Sequence, residues 1–256
     1  MALIKTSLAD CIGTIAFDRD AKRNALSIQL IAETIAALDD FTAKKARAVV
    51  LRSASAGKVW SAGHDVTELP EADVDPLPYS DPLEQLLRAV TAFPAPVIAM
   101  VHGSVWGGAC DLVIACDLVY GDETAAFAIT PAKLGLPYNV AGILNFMSRL
   151  PLNVVKEMFF SADLITAERA ERVGIVNQIV AADQLEDTVY AMARTLTMRS
   201  SGAIAAAKEA IRTLSESVAI NPATFEYLHG LRRDVYFGPD YHEGTQAFIE
   251  KRAPNF

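Results

Sequence analysis

The chain has 256 residues, 52% of them hydrophobic and 21% charged, with a formal net charge of -8. That length accommodates one or two domains with a substantial core, and the acidic balance excludes general nucleic-acid binding, which needs a basic footprint. The cysteines (Cys11, Cys110, Cys116) and the singly scattered histidines (His64, His102, His229, His242) show no ligand spacing, so no metal site is expected and reduced thiols in a cytoplasmic protein are.

The first ten residues lack the ordered regions of a signal peptide, and Cys11-Ile-Gly-Thr-Ile-Ala-Phe17 reads as a strand. Ile28, Ile31, Ile35 and Leu38 then recur at helical spacing, the stripe of a helix lying on a core. A strand over 47–51 leads to Trp60-Ser-Ala-Gly63-His64-Asp65-Val66, a glycine turn at a strand end. The acidic, proline-rich stretch 69–82 reads as a surface loop, and Leu83, Leu87 and Val90 mark the next helix.

A strand over 97–101 runs to a second glycine turn, Gly107-Gly108, which opens a helix over 109–115. The interruptions by His102, the glycines and two aspartates make 97–119 a core segment, so no membrane span is expected. Two glycine turns at neighbouring strand ends can aim two backbone N–H donors at one oxygen, an oxyanion hole built from backbone.

The last third reads as helical. Thr166 caps a helix ending at Gly174, and Asp183 with Glu186 forms a capping-box-like start. Leu185, Val189, Met192 and Leu196 make a stripe that ends at Ser200-Ser-Gly202; Ala207, Ile211, Leu214 and Val218 make another. Asn221-Pro222 opens a further helix. The pattern gives an α/β core over 1–195 and a helical C-terminal extension over 196–256, continuous as one domain. No G-x-S-x-G elbow, dinucleotide fingerprint or P-loop is present.

Taken together, Ser61-Ala-Gly-His-Asp-Val66, Gly107-Gly-Ala-Cys-Asp111, Cys116-Asp117-Leu-Val and Arg169-Ala-x-x-x-Gly174-Ile-Val-Asn177 resemble the motifs of the crotonase (enoyl-CoA hydratase/isomerase) superfamily. The resemblance implies a crotonase-like spiral of β-β-α turns, a helical C-terminal trimerisation region, and a homotrimer or a hexamer built from two trimers. It implies an acyl-CoA substrate whose thioester carbonyl sits between the N–H groups of His64 and Gly108, with the CoA moiety part of the substrate and no prosthetic group. By the same resemblance Lys22, Arg23 and Ala62 contact CoA, while Phe248 and Lys251 reach a neighbouring subunit's CoA.

Reaction type rests on the remaining residues. Of the two hydratase glutamates, the first falls at Asp111 and the second at Ala132, whose methyl group is neither acid nor base. The segments Thr130-Pro-Ala-Lys-Leu-Gly135-Leu-Pro-Tyr138-Asn139, Asp75-Pro-Leu-Pro-Tyr79 and the C-terminal Glu250-Lys-Arg-Ala-Pro-Asn-Phe256 are similar to the methylmalonyl-CoA decarboxylase branch, departing from it at Cys110-Asp111. That similarity implies decarboxylation of a malonyl-type CoA thioester, with Tyr138 orienting the carboxylate and Thr130 assisting. The alternatives are an enoyl-CoA hydratase or isomerase using Asp111, and a non-catalytic acyl-CoA-binding protein that keeps the glycine turns for folding. The candidate catalytic set is thus His64, Gly108, Thr130, Tyr138 and Asp111, with a structural role for Asp111 weighed beside a chemical one.

Overall fold

A computed structural model describes residues 2–69, 78–215 and 221–256. Most of the proline-rich stretch 69–82, residues 75–77 of the Asp75-to-Tyr79 segment, and Val218 lie outside the described residues.

An antiparallel hairpin of β1 (Ile4–Ala9) and β2 (Ile12–Phe17) leads into α1 (Ile28–Ala43). Three windings follow: β3 (Ala48–Ser53), β4 (Val59–Ser61) and α2 (Pro82–Ala92); then β5 (Val97–Val101), β6 (Ser104–Trp106) and α3 (Gly108–Ala115); then β7 (Leu118–Asp122), β8 (Ala126–Ala128), a 3-10 turn over Pro131–Leu134, and α4 (Val140–Arg149). Each winding adds one parallel strand to each of two sheets, giving β3-β5-β7 in the larger and β4-β6-β8 in the smaller. This is the β-β-α spiral expected from the family resemblance. The chain continues through α5 (Leu152–Ser161), β9 (Ile165–Thr166), α6 (Ala167–Val173), β10 (Gln178–Val180) and α7 (Leu185–Thr197). It finishes with α8 (Ser201–Ser215), α9 (Pro222–Tyr236) and α10 (Pro239–Glu250).

The central strands of the larger sheet are buried on both faces, which is why β3 and β5 read as mainly apolar runs instead of alternating. Val49, Leu51, Val97, Ala99 and Val101 point to the core shared with α1, α2 and α3. Their alternates Ala48, Val50, Ile98 and Met100 meet Leu185, Val189 and Ala193 of α7 on the other face. The period of two along each strand divides the two cores.

Several local expectations need correction. The Gly107-Gly108 turn follows β6 rather than β5, because Gly103, at φ +68°, first turns the chain into a short strand of the second sheet. Cys11 belongs to the β1–β2 turn, at φ +61°, and Ile28 lies exposed at the start of α1 instead of on its core stripe. Asp183 caps nothing, since a 3-10 turn over Ala182–Gln184 feeds directly into α7. Thr166 takes the N-cap position of α6 without a side-chain capping bond. Gly202 lies inside α8, not past the end of a helix.

Helix α8 is indeed helical, but its apolar stripe does not lie on the core. Ile211 and Leu214 face outward, at 67% and 73% exposed. The helix is tied down by Lys208, whose ammonium donates to the carbonyls of Val90 and Ala95 at 3.3 and 3.1 Å and pairs with Asp117 at 2.7 Å. Helices α9 and α10 fold back, and Tyr236 and Tyr241 pack on Leu136 and Leu134. There α10 meets the 3-10 turn backbone to backbone. A methyl group on Gly244 would lie 2.1 Å from the Leu134 carbonyl oxygen, and one on Gly135 would lie 2.1 Å from that of Asp240.

Candidate active site

The two glycine turns are brought together by the pairing of β4 with β6, in which Ser61 stands opposite Val105. Strand β4 is pinned to the larger sheet by Trp60, fully buried against Phe17, with its indole N–H donating to the Met100 carbonyl at 2.9 Å. Gly63, at φ +82°, is needed because the Trp106 carbonyl would stand 2.3 Å from any Cβ there. The Leu26–His64 bridge uses the Leu26 and Asp65 N–H groups and leaves that of His64 out of the pairing. Gly108 is the first residue of α3, so its N–H has no intrahelical acceptor. A methyl group placed on Gly108 would sit 3.7 Å from the His64 nitrogen. Two backbone donors therefore flank one point, and α3 directs its N-terminal dipole toward it.

Around that point is a cavity of about 60 Å³, lined by His64 and Gly108, by Gly107 and Thr130, and by Asp111, Glu84, Tyr138 and Asn139, with apolar walls that include Leu83, Leu134 and Leu136. Among the described residues, no lysine or arginine lines it. The site thus gathers His64, Gly108, Thr130, Tyr138 and Asp111, together with Ala62. Ala132 is exposed on the 3-10 turn and outside the lining, so the wall beside Tyr138 is built from Pro131, Leu134 and Leu136.

The histidine ring sits between Asp65, whose carbonyl lies 3.3 Å from Nδ1, and Asp81, whose Oδ2 lies 3.7 Å from Nε2. Asp81 also caps α2, accepting from the Leu83 N–H at 2.7 Å, so the helix start fixes the carboxylate that faces the ring. Burial opposes charge on His64, yet hydrogen bonding and attraction to Asp81 outweigh it and raise its pKa above the usual histidine value. The loop beyond is held by Asp65, which binds Arg19 at 2.7 Å and the Thr67 hydroxyl at 2.7 Å.

Tyr138 donates its hydroxyl to Asp111 Oδ2, and its ring stands edge-on to Phe159, 4.8 Å between centroids. Gly142 in α4 leaves room for that ring, since a methyl group there would lie 2.5 Å from Tyr138 Cε1. Asp111 is buried, its Oδ1 has no hydrogen-bond partner, and its pKa is pushed well up by desolvation and by the neighbouring Glu84. Glu84 accepts from the Asn139 amide at 2.5 Å, and Arg88 approaches its other oxygen at 3.9 Å.

Glu84 and Asn139 are the site residues that sequence reasoning missed as candidates. The signal for Glu84 was its place on the inward edge of the Leu83, Leu87, Val90 stripe. Lys22 and Arg23 are exposed beside β4, where the Ala62 N–H donates to the Arg23 carbonyl at 2.9 Å. Asn24 holds that loop through Ser53 and the Trp60 carbonyl. Phe248 and Lys251 lie at the exposed end of α10 and do not line the cavity.

Two glycine turns meeting at one cavity between windings of a β-β-α spiral fit the class that the family model defines: the chain belongs to the enoyl-CoA hydratase/isomerase family, whose model matches residues 8–256. Within it, the chain is 44% identical over 245 residues to methylmalonyl-CoA decarboxylase of Escherichia coli K12, covering 96% of this chain and 94% of that protein. It is 29% identical to 2,3-dehydroadipyl-CoA hydratase of the same organism, over 94% of this chain and 93% of that one. A solved structure of methylmalonyl-CoA decarboxylase in complex with 2-nitronate-propionyl-CoA superposes with a TM-score of 0.97 at 43% identity, covering 99% of this chain and 98% of that one. A second, complexed with 2S-carboxypropyl CoA, gives 0.97 at 42% identity, over 100% and 98%.

Proposed function

We infer that the protein is an acyl-CoA decarboxylase that converts methylmalonyl-CoA to propionyl-CoA and CO2. The observation that carries this reading is the cavity itself, whose described lining brings His64 and Gly108 together with Tyr138 and Thr130 and includes no lysine or arginine. Loss of CO2 leaves an enolate whose charge lies largely on the thioester oxygen. The His64 and Gly108 amides stabilise that charge as it develops, each worth about 3 kcal/mol in favourable cases. The departing carboxylate needs no base. It needs to stand perpendicular to the thioester plane and to be spared the strong cationic partner that would favour the ground state. Tyr138 and Thr130 are assigned that orientation, and the His64 ring faces the Asp81 carboxylate.

The hydratase reading gains a second carboxyl in Glu84, but it requires an ionised base facing water. Asp111 Oδ2 is taken up by the Tyr138 hydroxyl, and burial with the neighbouring Glu84 disfavours its ionised form. The CoA moiety is assigned to Lys22, Arg23 and Ala62 beside β4. Phe248 and Lys251 are assigned to a neighbouring subunit's ligand in a trimer or hexamer, with residues 196–256 as the assembly extension.

The test is mass spectrometry of the thioester pool after incubation with methylmalonyl-CoA. Propionyl-CoA should accumulate, and Tyr138→Phe should lower kcat by about a hundredfold, more than Asp111→Asn does. Efficient hydration of crotonyl-CoA without release of CO2, or binding of thioesters without turnover, would overturn the assignment.

A further inference from the structure

The decarboxylase reading leaves the enolate to be quenched by a proton, and it leaves Glu84 without a task. Both bear on one arrangement in the cavity wall. Glu84 on α2 and Asp111 on α3 are neighbouring buried carboxyls, and two such groups at one site do not both ionise readily.

Their surroundings decide which of them keeps the charge. The Asn139 side chain is oriented by its cap on α4, where Oδ1 accepts from the Gly142 N–H at 2.5 Å, so its amide must donate to Glu84 Oε1. Arg88 lies beside the second Glu84 oxygen, and Arg232 adds attraction from α9. Burial, with Asp81 adding to it, opposes the charge on Glu84 and raises its pKa, against the pull of Asn139, Arg88 and Arg232, whereas the Asp111 pKa is raised well above the usual carboxylate value. Among the described residues Asp111 is in no ion pair; Tyr138, the buried Cys110 thiol on its own helix and Glu84 interact with it, and His64 lines the same cavity.

We propose that Glu84 and Asp111 form a one-proton carboxyl pair in which Glu84 carries the charge and Asp111 is kept neutral, as the acid that restores the proton Tyr138 gives to the enolate. This rests on the decarboxylase reading. With substrate bound, the Tyr138–Asp111 hydrogen bond reverses, so that neutral Asp111 donates to the Tyr138 oxygen and Tyr138 donates to the substrate; once CO2 has left, the hydroxyl that oriented the carboxylate faces the carbon that lost it. The enolate electron pair forms the new C–H bond with the tyrosine proton as the thioester carbonyl re-forms. The Asp111 O–H bond breaks to reprotonate the phenolate, and water returns a proton to Asp111. Tyr138 is the group that touches the substrate; Asp111 and Glu84 are positioning residues that act through it.

The experiment is decarboxylation of methylmalonyl-CoA in D2O, reading CO2 release and the enantiomeric composition of the 2-deuteriopropionyl-CoA as pD is varied. A fixed protein donor gives one enantiomer, whereas bulk water gives a racemate. Wild-type protein should give one enantiomer at neutral pD and lose that preference on the alkaline side, as Asp111 ionises. Glu84→Gln removes the neighbouring charge and should move the loss to lower pD, by about one unit. Glu84→Asp should restore the wild-type position. Asp111→Asn should give racemic product at every pD while still releasing CO2, at a rate reduced less than tenfold. Racemic product from the wild type at neutral pD, or an unmoved transition in Glu84→Gln, would overturn the proposal. Absence of CO2 release by the wild type would instead overturn the decarboxylase reading, so the two failures are distinguishable.

Discussion

At the scale of single residues, the site is set by what surrounds each group more than by its type. In the proposed reading the His64 backbone donates to the thioester oxygen, while its ring faces Asp81 at 3.7 Å, which favours the protonated form. That separation is testable because Asn caps a helix as well as Asp does, so Asp81→Asn keeps the start of α2 and removes only the ion pair. The sign follows from linkage. His64 has a raised folded-state pKa, so its contribution to stability is complete below about pH 6.5 and is lost as pH rises through the folded value. Urea unfolding should therefore show Asp81→Asn less stable than wild type by up to about 1 kcal/mol at pH 6, and the gap should close on the alkaline side. His64 and Gly108 were legible in the sequence because glycines mark turns whose backbone must approach something closely. Glu84 was not, because a glutamate on the flank of an amphipathic stripe reads as surface until the packing of α2 against α3 is known.

At the scale of elements, the strands and core helices followed from periodicity, while the additions came from tertiary contact. Three-residue strands such as β6 carry no periodic signal; the Gly103 turn and the neighbours β4 and β8 define them. Helix α8 has a clear apolar stripe, and nothing in that pattern says whether the stripe meets its own core. The decisive contact at this scale is α10 on the Pro131–Leu134 turn, since that turn and the residues after it form the apolar wall of the cavity. Gly244→Ala forces a methyl group against the Leu134 carbonyl, and a backbone obstacle cannot rotate away. The variant should lose about 1–3 kcal/mol in urea unfolding, as overpacked sites do. It should also lower kcat/KM for the thioester, although Gly244 touches no substrate.

For the molecule as a whole, the C-terminal third leaves large apolar side chains uncovered: Ile211 and Leu214 on α8, Phe225 and Leu231 on α9, Phe248 and Ile249 on α10. Exposed apolar side chains in this number are consistent with an interaction face. If it carries assembly, Leu214→Lys should shift sedimentation equilibrium toward smaller species while circular dichroism stays unchanged, because the side chain is 73% exposed.

The Gly135–Gly244 seam also bears on how pocket and C-terminus share free energy. A thioester that braces Leu134 and Leu136 stabilises the surface on which α10 rests, and a docked α10 in turn prepares the pocket. By reciprocity each helps the other to the same degree. The last helix, remote in sequence from both glycine turns, is therefore a thermodynamic partner of the ligand, and pocket occupancy should be readable as slower hydrogen exchange in α10.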